Sequence, residues 1–129
     1  MFEIIVAVVL FNKKVLILKR KADKRYDPNK WEFVSGFVKE KNLAVFAEKQ
    51  VAFETGLKVK LVRAGKQFEV HDEYGAWLIH PFVFEAENER VKLSSDHVEY
   101  RWINADQILN YDCVKDLEKN LEMLGIEIK

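Results

Sequence analysis

An unbroken apolar run, IIVAVVLF, occupies positions 4–11 of the chain. It is rich in β-branched residues and far shorter than the roughly 20 residues that a membrane-spanning helix needs. It also lacks the basic start and the small-residue cleavage site of a secretory signal. A short run of this kind is typical of a strand buried inside a sheet. We therefore expect a fold organised around a sheet, and no membrane partner.

Further apolar runs predict the other strands. The segment 15–18 follows 2–11 after a short polar connection, so we predict two adjacent strands there. Additional strands are predicted at 31–34, at 57–70 with an interruption at Gly65, at 76–85 and at 99–103.

Helical spacing appears between two of these strands. From position 43 the apolar residues recur at intervals of three and four, with Asn42 as the predicted N-cap and Gly56 as the stop. Two C-terminal helices are predicted at 105–109 and 113–124. The chain contains no linker-like or low-complexity segment, so we predict one α+β domain spanning 1–129.

The composition limits the classes of partner. The chain has 21 basic and 21 acidic residues, so long-range attraction does not favour a nucleic acid or a membrane surface. Cys113 is the only cysteine, which excludes an intrachain disulfide and favours a cytoplasmic setting. Basic residues cluster once, in KRKADKR at 19–25, which is interpreted either as a solvated loop or as a rim facing phosphate.

The segment WEFVSGFVKEKNLAVFAEKQVAFETGL, at 31–57, resembles the Nudix hydrolase signature G-x5-E-x7-R-E-U-x-E-E-x-G-U, in which U is aliphatic. The preceding LILKRKADKRYDPNKWEF and the later DHVEYRWINADQIL are similar to the segments that flank the signature in that family. The resemblance implies a Nudix fold, with a mixed β-sheet sandwiched between helices. In the family, three signature glutamates hold Mg²⁺ or Mn²⁺, and the ions orient water for cleavage of a diphosphate.

This chain departs from the signature at most of its metal-binding positions. With the final G-U matched to 56–57, the three glutamates fall on Gln50, Phe53 and Glu54, so only Glu54 keeps its carboxylate. An acid in the last turn of a helix faces the negative end of the helix dipole, so Glu54 needs a compensating partner. From helix geometry alone, either a structural role or a ligand role for Glu54 is open.

A second departure concerns the loop before the helix. In the family an upstream glutamate pairs with the signature arginine, whereas here these positions carry Lys41 and Lys49, two like charges. Either Glu40 takes over this bracing, or the loop has a different shape.

The resemblance implies further site residues. The Gly36 carbonyl matches a metal ligand, and Asp96 matches an acid that either binds metal or activates water. The predicted catalytic residues are thus Glu54 and Asp96, and Gly36, Glu54 and Asp96 are the predicted ligands of one Mg²⁺ or Mn²⁺ shared with substrate phosphates. His97, which follows Asp96, is predicted to be exposed, and the alternative is that it orients Asp96.

Three residues are predicted to contact the substrate. Arg20 resembles a basic residue that reaches phosphate or base, Phe33 resembles an aromatic residue that packs on the nucleobase, and Asp112 lies near a base-reading position. The alternatives are a solvated arginine for Arg20, the sheet core for Phe33, and an N-cap of the last helix for Asp112.

Three functions remain open from the sequence. The favoured one is binding of a nucleoside di- or triphosphate, or a related phosphorylated ligand, with little or no turnover. The second is an Mg²⁺-dependent pyrophosphohydrolase that uses the remaining carboxylates. The third is a protein or RNA interaction module, which only the basic cluster at 19–25 supports. A nucleic-acid partner is not favoured, and a homodimer is possible.

Overall fold

The structure is a computed structural model that describes residues 1–128. These residues form, in chain order, β1 (Phe2–Phe11), β2 (Lys14–Arg20), β3 (Trp31–Glu32), β4 (Val34–Phe37), α1 (Leu43–Thr55), β5 (Val59–Ala64), β6 (Phe68–Asp72), β7 (Gly75–Ala86), β8 (His97–Ile103), a 3-10 helix (Ala105–Asn110) and α2 (Leu117–Met123). None of the helices in this part of the chain is long and apolar enough to cross a membrane.

The apolar run near the start of the chain forms β1, the strand around which the sheet is arranged. β1 pairs in parallel with β7 and antiparallel with β2 and β4, so the sheet is mixed. Asn12 and Lys13 form the turn between β1 and β2, with φ angles of 51° and 66°. Positive φ at both central residues gives a two-residue turn the twist that matches its flanking strands.

The side chains of β1 are buried on both faces of the sheet. Ile5, Ala7 and Val9 pack in the cluster that includes α1, and Val6 and Val8 pack in the cluster that includes the 3-10 helix and α2. This division follows from the alternation of side chains along a strand. The sheet therefore lies between helices on its two faces, which confirms the predicted α+β fold class.

The predicted strand at 31–34 is divided, because the chain changes partner within it. β3 pairs with β2, whereas β4 pairs with β1. Phe33 lies between the two strands and has no exposed surface. This change of partner places Glu32 close to Ser35, whose Oγ donates a hydrogen bond to Glu32 Oε1 at 3.1 Å.

Helix α1 begins and ends where the sequence predicts. The Asn42 side chain accepts a hydrogen bond from the Val45 N–H at 3.2 Å, which satisfies a donor of the first turn. Gly56 follows the helix with φ of 70°, and its N–H donates to the Ala52 carbonyl. These caps fix which residues of the last turns face the sheet.

The predicted strand at 57–70 is two strands, β5 and β6, which pair with different parts of β7. Gly65 lies between them, at the predicted interruption. A Cβ at this position would lie 2.7 Å from the carbonyl oxygen of Met123, so a side chain does not fit there without a shift of the backbone.

The helix predicted at 113–124 is shorter in the structure, because its first residues pair with β3. The Trp31 N–H donates to the Asp112 carbonyl, and the Val114 N–H donates to the Trp31 carbonyl, which keeps this stretch extended. Asp116 is the residue before α2. The alternative role of Asp112 as the N-cap of the last helix is therefore wrong.

Candidate functional site

A cavity of about 330 Å³ is formed by side chains from α1, β4 and β7, from the loop at 21–30, and from the region where β8 begins. One part of its wall contains buried charged side chains, and another part contains aromatic rings. The first part consists of Arg20, Glu32, Glu54 and His97. Together with Ser94, which contacts Glu54 but does not line the cavity, we call these residues the charged network. We call the second part the aromatic wall, which consists of Tyr26, Phe37 and Trp77.

Glu54 uses both of its carboxylate oxygens within the protein. Glu54 Oε1 accepts a hydrogen bond from Ser94 Oγ at 2.9 Å, and Glu54 Oε2 lies 3.0 Å from His97 Nδ1. The contact with His97 is a close ion pair rather than an aligned hydrogen bond. A buried cation therefore compensates the carboxylate that faces the negative end of the α1 dipole.

A second carboxylate lies on the other side of the same imidazole. His97 Nε2 is 2.8 Å from Glu32 Oε2, which also accepts a hydrogen bond from Arg20 Nη1 at 2.9 Å. The His97 side chain is only 2% exposed, so the prediction that His97 is exposed is wrong. The imidazole of His97 is buried because Glu32 of β3 and Glu54 of α1 enclose it.

These contacts determine the protonation of the network. Burial alone would lower the pKa of His97, but Glu32 and Glu54 raise that pKa to about 9. Burial would raise the pKa of Glu32, but the hydrogen bond with His97 and the charge of Arg20 lower that pKa overall. At neutral pH His97 is thus a cation, and Glu32 beside it is ionised.

Gln50 occupies a position that resembles a metal-binding glutamate, and it is bonded to the backbone. Gln50 Nε2 donates to the Ser35 carbonyl at 3.1 Å. Because a carbonyl only accepts, the nitrogen of the amide must face it. A Cβ on Gly36 would lie 2.6 Å from the same nitrogen. Gln50 therefore fills the space beside Gly36, whose carbonyl is a predicted metal ligand.

Phe53 and Lys49 complete this side of α1. The Phe53 side chain lines the cavity and is 66% exposed. Lys49 Nζ lies 3.0 Å from Glu40 Oε1, so Glu40 braces the loop against the helix. This contact corresponds to the first alternative drawn from the sequence, in which Glu40 takes over the bracing. It involves no contact between Lys41 and Lys49.

Asp96 connects the start of β8 to the basic loop. Its Oδ1 lies 3.1 Å from Lys24 Nζ, and its side chain is 43% exposed. Burial would raise the pKa of Asp96, but the hydrogen bond and charge of Lys24 lower that pKa overall. Lys24 and the exposed Lys39 both line the cavity, and because Asp96 balances the charge of Lys24, Lys39 supplies the uncompensated positive charge of this part of the rim.

The three predicted substrate residues lie in different environments. Arg20 lines the cavity, but its Nε donates to the Tyr26 carbonyl at 2.9 Å and its Nη1 to Glu32. Phe33 is fully buried in the core and offers no surface to a base. Asp112 does not line the cavity; its side chain is 79% exposed and lies 3.6 Å from Lys30.

Several residues of the site were missed by sequence reasoning. Glu32 had an available signal, because an acid between Trp31 and Phe33 in a buried strand needs a partner. No signal in the sequence pointed to Ser94 or to the burial of His97, since their contacts come from distant parts of the chain.

The donor set beside α1 does not fit a divalent cation. Mg²⁺ favours several oxygen ligands, carboxylates and phosphates among them. Gln50 presents a nitrogen to a carbonyl, Phe53 has no donor atom, and Glu54 is paired with His97. Within residues 1–128, no group of three or more His, Cys, Asp or Glu side chains is arranged to hold a metal ion.

Comparison with known proteins agrees with the fold. The family model of the NUDIX domain matches residues 1–123. The MutT protein from Methanosarcina mazei Go1 is 22% identical over 96% of this chain and 92% of its own, with a TM-score of 0.80. A NUDIX hydrolase from Nitrosomonas europaea is 15% identical over 99% of this chain and 90% of its own, with a TM-score of 0.81.

A third similar structure contains a ligand. The NUDIX domain of Shewanella oneidensis NrtR, complexed with ADP ribose, is 13% identical over 97% of this chain and 86% of its own, with a TM-score of 0.75. No curated protein matches the chain. Since the family model covers nearly the whole sequence and these structures share its mixed sheet and helices, the chain belongs to the Nudix family.

Proposed function

We propose that this protein binds a nucleoside di- or triphosphate, or a related phosphorylated compound, in the cavity with little or no turnover. The observation that carries the proposal is the pairing of Glu54. Its two oxygens contact Ser94 and His97, so the one signature glutamate left in the sequence is already used within the protein.

The charge on His97 strengthens this argument. In a catalytic Nudix site, divalent cations neutralise the carboxylates and the substrate phosphates. Here the buried imidazolium of His97 and the guanidinium of Arg20 together neutralise Glu54 and Glu32 without a metal ion. A divalent cation placed against Glu54 would have to overcome repulsion from His97, and it would gain no oxygen ligand from Phe53.

The rim of the cavity supplies positive charge for phosphate. Lys24 and Lys39 both line it, and within residues 1–128 the side chain of Lys39 has no hydrogen-bond or ion-pair partner. An ammonium group attracts phosphate oxygens without a metal ion. The NrtR domain complexed with ADP ribose makes nucleoside diphosphate compounds the first class to test.

A thermal-shift screen tests the binding proposal. ADP ribose and a panel of nucleoside mono-, di- and triphosphates are added with Mg²⁺ or with EDTA. A ligand that binds only the folded state raises the melting temperature. We expect at least one compound to raise it equally in both conditions, and the same compound to remain intact over hours of incubation.

A double substitution tests the missing carboxylates. Gln50→Glu with Phe53→Glu restores acids at two positions beside Glu54, so we expect Mg²⁺-dependent hydrolysis to appear or rise sharply. The matched control is Phe53→Gln, which removes the ring without adding charge. The proposal is wrong if the unaltered protein cleaves nucleotides at ordinary enzyme rates and Glu54→Gln abolishes that cleavage.

A further inference from the structure

The aromatic wall of the cavity is accompanied by two carboxylates that the charged network does not use. Asp27 lies in the loop at 21–30, and Asp72 lies at the end of β6. Both line the cavity together with Tyr26, Phe37 and Trp77. They come from distant parts of the sequence, so only the fold brings them to the same cavity.

Asp72 is held in place through one oxygen only. Its Oδ1 accepts hydrogen bonds from Trp77 Nε1 at 3.0 Å and from the Tyr74 N–H at 2.9 Å. Its Oδ2 has no hydrogen-bond partner in the described part of the chain. The carboxylate is therefore oriented by the protein, while one of its acceptors remains available.

Asp27 is positioned by its backbone. Its N–H donates to Tyr74 Oη at 3.3 Å, and the preceding carbonyl, that of Tyr26, accepts from Arg20 Nε at 2.9 Å. Its φ of 47° is in the left-handed region, which non-glycine residues seldom adopt. Among residues 1–128, no side chain forms a hydrogen bond or ion pair with its carboxylate.

The positive charge around Asp27 does not offset its burial and the neighbouring carboxylate. Burial raises the pKa of Asp27 and the charge of Asp72 raises it further, and the opposing effects of Arg20 and Lys30 do not cancel this. Arg20 is already paired with Glu32. Lys115 also lines the cavity, but its Nζ donates to the His71 carbonyl.

We propose that this part of the cavity binds a planar organic cation, with Asp27 and Asp72 as its counter-charges and the aromatic wall beside its ring. The inference rests on the proposed function, because the cation would be one part of a ligand whose phosphate lies at Lys24 and Lys39. Within residues 1–128, Asp27 and Asp72 do not belong to a group of three or more His, Cys, Asp or Glu side chains arranged to hold a metal ion. A delocalised cation is weakly hydrated and is attracted to aromatic rings.

The test compares two ligands that differ in ring charge. Nicotinamide mononucleotide carries a pyridinium ring and a phosphate, and its reduced form has a neutral ring with the same ribose and phosphate. We expect the oxidised form to bind about tenfold or more tightly than the reduced form, measured by titration calorimetry in EDTA.

Three variants assign this preference to residues. Asp72→Asn keeps an oxygen for Trp77 and Tyr74 but removes the charge, and Asp27→Asn keeps a residue type that tolerates positive φ. Each is expected to reduce the ratio of the two affinities to within about threefold. Asp23→Asn is the control, since Asp23 is an exposed acid of the same loop that does not line the cavity.

The outcomes separate this inference from the proposed function. Equal binding of the two forms, or a preference that survives both Asp27→Asn and Asp72→Asn, overturns the cation site and leaves nucleotide binding intact. If neither form of nicotinamide mononucleotide binds but another nucleotide in the panel does, the cation site is likewise overturned and nucleotide binding is left intact. Failure of every phosphorylated compound overturns both proposals.

Discussion

His97 is the residue that joins the two buried carboxylates of the charged network. It lies 3.0 Å from Glu54 and 2.8 Å from Glu32, and its side chain is 2% exposed. Two buried carboxylates without a partner would be strongly destabilising. The positive charge of the His97 imidazolium, which lies between the two carboxylates, offsets the cost of burying them.

A pH-dependent stability follows from this arrangement. The pKa of His97 rises from 6.5 to about 9 on folding, so its stabilising effect is complete below pH 6.5 and is lost as the pH rises through about 9. We expect the free energy of unfolding to fall by about 2 kcal/mol between pH 7 and pH 9, measured by urea denaturation.

The variant that carries both His97→Gln and Glu54→Gln is the control for that measurement, because Glu32 keeps Arg20 as its partner and no carboxylate is left buried without a cation. It cannot gain a proton, so its unfolding free energy should change much less between pH 7 and pH 9. An equally steep decline in the variant would show that another group is responsible.

Two phenylalanines of helix α1 line the cavity but differ in how deeply they are buried. Phe46 and Phe53 are the same residue type on one helix, yet they are 6% and 66% exposed. Phe46→Ala should lower the free energy of unfolding by about 3 to 5 kcal/mol, since it leaves a cavity in the core. Phe53→Ala should change it by less than about 0.5 kcal/mol.

Equilibrium denaturation of the two alanine variants checks this difference. A large loss of stability in Phe53→Ala would mean that this ring packs against the protein, and the interpretation of its exposed position would then be wrong.

The close approach of β5, β6 and α2 at Gly65 allows another prediction. A Cβ there would lie 2.7 Å from the Met123 carbonyl oxygen, which belongs to the backbone and cannot rotate away. Gly65→Ala should lower the free energy of unfolding by about 1 to 3 kcal/mol, by overpacking. Urea denaturation tests this, and an unchanged or increased stability would contradict the close contact.

At the scale of the whole molecule, the charge arrangement predicts independence from divalent cations. We expect Mg²⁺, Mn²⁺ or EDTA to shift the melting temperature of the ligand-free protein by less than about 1 °C, because no tight metal binding stabilises the folded state. The variant carrying Gln50→Glu and Phe53→Glu is the comparison, since its added carboxylates should make the melting temperature rise with Mg²⁺. A coordinated group of Mn²⁺ ions beside α1 in crystals of the unaltered protein would contradict this prediction.

Local physical chemistry made much of the fold predictable. The β-branched run at 4–11 could only be a buried strand, and the caps of α1 at Asn42 and Gly56 follow from side-chain and backbone preferences of those residues. The helical register also places Gln50 and Phe53 beside Glu54. That a carboxylate is expected at these two positions is what the resemblance to the Nudix signature implies.

The tertiary structure decided which groups compensate the charge of Glu54. The sequence by itself determined that Glu54 needs a compensating partner, but it did not identify His97, which lies at the start of β8, or Glu32, which lies in β3. Asp27 and Asp72 likewise come from separate segments of the chain and line the same cavity. Such contacts depend on how strands pair across long sequence separations, and the periodicity of a single segment carries no information about that pairing.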